Sequence, residues 1–243
     1  MFAWRSSAPG PVQAFTDRQG GASNAPFAGL NLGAHVGDAP EDVATNRARL
    51  EAEIGMPTVW ADQVHGRDVI HVTDEVLRGP RTPTGAVGTA DALVTDLAGL
   101  ALGVLVADCT PVLLHDEGAG LVGVAHAGRH GMTKGVIPAV VTALRDLGAR
   151  GLRATVGPSV CGRCYEVPAA LRDEAAAVAA VSATLAWQGT PAIDVAAGVV
   201  DQLSGMDVPL TWVPGCARED ESLFSHRRDG TTGRFAGIVG RPA

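Results

Sequence analysis

The sequence predicts an α+β chain: a mixed α/β sandwich in one domain over residues 1–243, with a central mixed sheet flanked by helices. Three observations point there. Strand-like apolar runs cluster between 91 and 126 with short connections, helical patterns stand apart from them, and neither a repeat nor a long linker divides the 243 residues. Apolar residues make up 46% and charged residues 19%, as in a globular protein with a generous interior. Aromatics are only 4%, so Ala, Val and Leu must supply most of the packing.

In chain order, "PVQAFTDRQGGASNAPFAGLNLGAHVGDAP" (11–40) begins as a strand and becomes a Gly-rich loop. "DAPEDVATNRARLEAEIGM" reads as a helix, with Asp38 as N-cap, Pro40 near the first turn, and Val43, Leu50 and Ile54 near one face. "DVIHV" (68–72) is a short strand and "RGPRTPTGAVGTA" (78–90) a Pro- and Gly-marked loop. Four strand-like runs follow at 91–95, 101–107, 112–115 and 121–126, the last two joined by the hairpin turn "DEGAG". "GMTKGVIPAVVTALRDLG" reads as a helix that Pro138 must kink or start late. "RATVGPSV" is a strand, "VPAALRDEAAAVAAV" and "AIDVAAGVVDQLSGM" are helices, and "VPLTWVP" and "FAGIVG" are closing strands.

The net charge of −7 gives no pull toward nucleic acid or anionic lipid. An anionic substrate therefore needs a local cationic cluster, and "SHRRDGTTGR" (225–234) offers one. The longest apolar run, Leu100 to Ala107, is interrupted by Gly103 and falls well short of the roughly 20 residues a membrane-spanning helix needs. "MFAWRSSAPG" lacks the basic start and apolar region of a signal peptide. The expectation is a cytoplasmic protein whose four cysteines are reduced thiols or metal ligands.

Chemistry concentrates at strand ends. Cys109 follows Asp108 at the end of one apolar run, His126 ends another, and His65 sits in "QVHG" ahead of a strand. Alone, Cys109 reads as a packed core thiol and His126 as a hydrogen-bonded core residue. Together with His65 they form an N₂S set of three ligands. A structural zinc site closes with four protein ligands, whereas three leave a position for water, whose pKa falls to about 7 on zinc. The spacing matches no regular metal motif. Cys161 and Cys164 form a C-x-x-C that as a zinc site needs two further ligands, with Cys216 the one other cysteine; the reading preferred is two packed loop thiols. Arg227 and Arg228, with Arg234, suit a grip on phosphate or carboxylate, and Asn46 and Arg47 are further candidates to face a pocket. Asp91 and Asp108 read either as partners that orient a ligand histidine or as strand-end caps.

Taken together, "NLGAHVGDAPEDVATNRARL", "QVHGRDV", "ADALVTD", "GVLVADCTPVLL", "GVAHAGRHG", "GPSVCGRCYEV" and "FSHRRDGTTGRFAGIV" resemble a known family over about residues 15–240. It is long labelled multicopper polyphenol oxidoreductase or laccase-domain protein. It is now described as zinc-dependent purine nucleoside phosphorylase with adenosine deaminase side activity, and in bacteria as peptidoglycan editing factor. The resemblance implies an α/β/α-type sandwich related to cysteine-dependent hydrolases, and a zinc site at His65, Cys109 and His126. It implies phosphorolysis of adenosine, inosine, guanosine or methylthioadenosine. The alternative is an editing hydrolase that removes a misincorporated amino acid from a murein precursor, with Cys109 as possible nucleophile. Many members carry adjacent cysteines where this chain has "CGRCYEV", so Cys164 matches, Cys161 is shifted, and no role carries over to the pair. The laccase label itself fits poorly. A multicopper oxidase needs many histidines, and this chain has seven with no His-x-His pair. Copper would bind the trio as an in vitro substitute. The expected partners are a nucleoside and phosphate, with no nucleic acid or membrane and the oligomeric state open.

Overall fold

The structure, a computed structural model, describes residues 1–7 and 9–243; Ala8, within the N-terminal stretch read for a signal peptide, lies outside the described residues. In chain order the elements are β1 (Phe2–Arg5), β2 (Val12–Thr16), α1 (Pro40–Ile54), β3 (Thr58–Val59), β4 (Val69–His71) and α2 (Asp74–Arg78). Next come β5 (Ala92–Thr95), β6 (Leu100–Val106), β7 (Thr110–Asp116), β8 (Leu121–Ala127), α3 (Arg129–Lys134) and α4 (Val136–Asp146). The remainder are β9 (Arg153–Val156), α5 (Ala169–Val178), β10 (Ala183–Leu185), β11 (Pro191–Ile193), α6 (Val195–Gly205), β12 (Leu210–Trp212), α7 (His226–Asp229) and β13 (Phe235–Arg241). No helix among the described residues is long and apolar enough to cross a membrane.

The chain is mixed α/β; among the described residues, β10 and β11 pair antiparallel in a separate two-stranded sheet, and every other strand belongs to one of two stacked mixed sheets. One has the order β1-β2-β13-β6-β3 and the other β12-β9-β7-β8-β5-β4. Strand alternation explains the stacking, because successive side chains point to opposite faces. In β6, Leu100, Leu102 and Val104 enter the layer between the sheets, where they meet Leu93, Leu113, Val122 and Val124 of the second sheet. The intervening Ala101 and Leu105 face outward into a cluster with Leu50 and Ile54 of α1. In the second sheet, Val94, Val112, Leu114 and Ala125 face outward onto Ile137, Val140, Leu144 and Val199 of α4 and α6. The order of layers is therefore helix, sheet, sheet, helices. β5 to β8 are buried on both faces, which is why they read as continuous apolar runs. Gly103 of β6 leaves room for the Trp60 ring, which a Cβ there would approach to 2.4 Å.

The helix read over 131–148 is two helices. Gly135 adopts a left-handed conformation (φ 88°) that ends α3, and Pro138 falls in the first turn of α4, where a missing N–H costs nothing. Asp38 does not cap α1. Ala39 occupies that position with Pro40 at the first helical residue, and the Asp38 carboxylate instead accepts from the Ala39 and Asn31 nitrogens. Val43, Leu50 and Ile54 are buried together as the helical spacing requires.

One connection positions the chemistry. β6 belongs to the first sheet and β7 to the second, so the chain crosses between layers at residues 107–109. Asp108 makes that turn with φ 100°, a conformation costly for a residue with a Cβ. Its carboxylate holds the turn by accepting from Ser225 Oγ and the Arg227 backbone N–H, both at 2.6 Å.

Candidate active site

The crossing places Cys109 at the open end of the interlayer. β8 ends beside it, and because Ala125 and Ala127 face the helices, His126 faces the opposite way, toward Cys109. His65 arrives from the loop after β3. Gln63 guides that loop by extending the β3–β6 pairing: its side chain donates to the Leu105 carbonyl and accepts from the Leu105 N–H, both at 2.8 Å. His65 then turns with φ 57°. The outcome is that donor atoms of His65, Cys109 and His126 lie within 4.8 Å of one another. The Cys109 Sγ is 3.7 Å from His65 Nε2, and the two imidazole rings meet edge to face with centroids 4.8 Å apart.

A single buried carboxylate orients both histidines. Asp91, 1% exposed, accepts from His126 Nδ1 at 2.8 Å and from the backbone N–H groups of Val64, His65 and Gly66 at 3.2, 2.9 and 2.6 Å. The Nδ1 bond leaves His126 Nε2 as its free ligand atom, the arrangement by which a carboxylate sets the tautomer and basicity of a metal-binding histidine. Gly128 completes the packing. A Cβ there would sit 2.8 Å from Cys109 Sγ and 2.9 Å from His65 Cδ2, so the "AHAG" glycine is a requirement of the site.

The electrostatics are those of a proton-sharing pair. Burial pushes the Cys109 thiol up, but the charge on His126 and hydrogen bonds from His126 and His65 outweigh it and draw the thiol down to about 6. Burial pushes His126 down, while the Cys109 sulfur and the Asp91 carboxylate together raise it to about 9. A thiolate flanked by imidazoles, one backed by a carboxylate, is a donor set that suits zinc, since the metal takes the place of the shared proton.

A cavity of about 420 Å³ opens over this trio, within the roughly 300–1,000 Å³ typical of small-molecule sites. Its wall includes His35, Tyr165, His226, Arg129, Arg227 and Arg234. The Arg227 guanidinium lies 4.6 Å from the centre of the Tyr165 ring and donates to the Glu166 carbonyl. Burial pushes Arg234 down, while Cys109 and Asp108 pull it up.

Of the residues singled out in the sequence, His65, Asp108, Cys109, His126, Arg227 and Arg234 line this cavity, while Asn46, Arg47 and Arg228 do not. Asn46 is fully buried and spends its side chain on Ala22, Ser23, Gly29 and Asn31. Arg47 donates to the Leu32 and Thr84 carbonyls and stacks on Trp60. Arg228 donates to the Ala217, Asp220 and Leu223 carbonyls and pairs with Asp229. These three hold loops together. No role was read in the sequence for Gln63, Gly128, Tyr165, His35 or Arg129; the signal that could have found them is their place inside the motifs "QVHGRDV", "GVAHAGRHG", "GPSVCGRCYEV" and "NLGAHVGD".

The multi-copper polyphenol oxidoreductase laccase family model matches residues 12–242. The chain belongs to this family. Among its relatives, purine nucleoside phosphorylase ORF3 of Streptomyces griseus is 50% identical over 233 residues, covering 93% of this chain and 92% of that protein. A purine nucleoside phosphorylase of Streptomyces coelicolor is 48% identical, covering 98% of this chain and 99% of that protein. The crystal structure of YlmD from Geobacillus stearothermophilus superposes with a TM-score of 0.90 at 35% identity, covering 98% of this chain and 96% of that one. A relative named as YlmD from that organism is also a purine nucleoside phosphorylase by name. The chain thus matches a family model that carries the laccase label and relatives that carry a phosphorylase name.

Proposed function

We propose that this chain is a zinc-dependent purine nucleoside phosphorylase, with zinc held by His65, Cys109 and His126. The observation that carries the reading is the three-ligand trio at the floor of a cavity with arginines in its wall. The names of relatives at 48–50% identity support it. A bound zinc supplies a Lewis acid with an open fourth position.

The chain's own residues do the rest. Arg227 and Arg234 hold phosphate at the wall, with Arg227 braced by Tyr165 and Asp108. A phosphate oxygen forms a bond to C1′ of the ribose, the C1′–N9 bond breaks, and its electron pair leaves with the base, which takes up a proton. His226, held by the bond from its Nδ1 to the Gly230 carbonyl at 2.6 Å, lines the cavity and is the residue we assign to hand the base this proton. Adenosine, inosine, guanosine and methylthioadenosine are the proposed substrates, deamination of adenosine is a side activity of the same site, and the cytoplasm is its place of work.

A second reading, cleavage of an amide in a murein precursor, is favoured by the lowered Cys109 thiol beside a raised His126, the polarity of a thiolate nucleophile and its acid partner. The two separate on phosphate. Release of adenine from adenosine should require phosphate and produce ribose 1-phosphate, and Arg227→Ala should raise the KM for phosphate at least tenfold. Turnover that ignores phosphate would contradict the phosphorylase reading.

A further inference from the structure

We propose a second metal site, for one zinc-class divalent ion, built from Cys161, Cys164, Cys216 and Glu219. These four residues each present a donor atom, and all lie within 4.8 Å of one another. They come from two short turns. In the first, Cys164 and Tyr165 N–H groups donate to the Cys161 carbonyl. In the second, Glu219 and Asp220 N–H groups donate to the Cys216 carbonyl. Each turn offers its first and fourth residue, the C-x-x-C and C-x-x-E spacing of two facing zinc-binding turns.

Three further observations fit a metal better than packed thiols. The Cys161 backbone N–H donates to Cys216 Sγ at 3.4 Å, a bond from one turn to the sulfur of the other. Cys164, only 3% exposed, aims its Sγ at Glu219 Oε1 at 3.2 Å, and Trp187 Nε1 donates to the same oxygen at 3.3 Å, fixing the carboxylate as an outer partner fixes a ligand. Gly162 inside the first turn is buried where a Cβ would meet Asp194 and Thr184 at 2.8 Å, so the turn is pressed into the fold. A tetrahedral zinc with Zn–S near 2.3 Å has S···S edges of about 3.8 Å, so closing the cluster on an ion needs shifts of at most about 1 Å. Four protein ligands make a closed, structural site.

The location gives the ion a purpose. The Val160 N–H, next to Cys161, donates to the Asp108 carbonyl, and Tyr165, next to Cys164, supports Arg227 in the cavity wall. Arg228 ties the turn after Cys216 to α7, which carries His226 and Arg227. A metal joining the two turns would pin both walls of the active cavity.

Metal content of the full-length protein, purified reduced and without chelator, tests this independently of the reaction. In His65→Ala/Cys109→Ala, which removes the first site, one zinc per chain should remain. Cobalt loaded into that variant should show thiolate-to-cobalt charge transfer of the intensity expected for three sulfur bonds. Adding Cys161→Ser/Cys216→Ser should abolish both. Should that variant fail to fold, Glu219→Gln, altering an exposed residue, should keep the fold and lose zinc to a competing chelator at least tenfold more readily. A first-site variant that holds no zinc after incubation with excess zinc sulfate overturns the proposal. So does a disulfide among the three cysteines in the reduced preparation, or a Glu219→Gln variant with unchanged zinc retention.

Discussion

Replacing Asp91 by Asn keeps the shape of the side chain and removes its charge. Oδ1 serves the His65 N–H and His126 Nδ1, while Oδ2 serves the Val64 and Gly66 N–H groups. An amide has one acceptor oxygen, so its NH₂ must face two donors whichever way it turns. Two charge-assisted bonds are lost, each worth about 1.5–3 kcal/mol, or about 3–6 kcal/mol in all. Half-exposed Gly66 and its neighbours regain part of this from water, leaving a net loss of about 3 kcal/mol. For a chain of this size that lowers Tm by roughly 6–12 °C. His126 also loses the anion that raises its basicity, so zinc affinity should fall about 10–100-fold. Thermal unfolding of the metal-free protein and competition with a chromophoric chelator measure the two effects separately. A variant with Tm within 2 °C of wild type by measurement, about the smallest shift expected per kcal/mol lost, and unchanged zinc affinity would refute the claim that one carboxylate positions both histidines.

Two further outcomes follow from the same geometry. In metal-free protein, alkylation of Cys109 by iodoacetamide should rise through a midpoint near pH 6, since the thiol is drawn down to about 6, and His126→Ala should move that midpoint up toward an ordinary thiol; an unshifted midpoint would remove the ion pair from the account. Gly103→Ala, at a residue outside the cavity wall, should destabilise the fold by about 1–3 kcal/mol, because its Cβ meets Trp60 at 2.4 Å, while leaving KM for nucleoside unchanged in the folded fraction.

The sequence made the strands of the second sheet legible because β5, β7 and β8 are apolar on both faces. It did not show that β6 belongs to the other sheet, since a doubly buried strand looks the same in either layer. β1, β3, β10 and β11 are short, and their pairing is decided by tertiary partners rather than local pattern. The trio illustrates the same limit: residues 65, 109 and 126 acquire a common centre only through a crossing between sheets, so residue type and strand-end position suggested the set, spacing could not establish it, and the family resemblance supplied its reading as a zinc site. Asn46, Arg47 and Arg228 lie off the cavity wall and spend their side chains on neighbouring loops, because a polar residue near a motif is as easily a loop fastener as a substrate contact. Cys161 and Cys164 read as packed loop thiols in the sequence because the two residues the structure sets beside them, Cys216 and Glu219, lie some 55 positions on and include a glutamate that no cysteine count could supply.

The central claim is that the trio holds zinc and that zinc serves phosphorolysis. Its most direct test is zinc content and phosphate-dependent release of adenine from adenosine, in wild type beside Cys109→Ala. The variant should stay folded, hold one zinc fewer per chain and lose phosphorolysis. A Cys109→Ala protein that keeps its full zinc content, or one that still releases adenine at the wild-type rate, would contradict it.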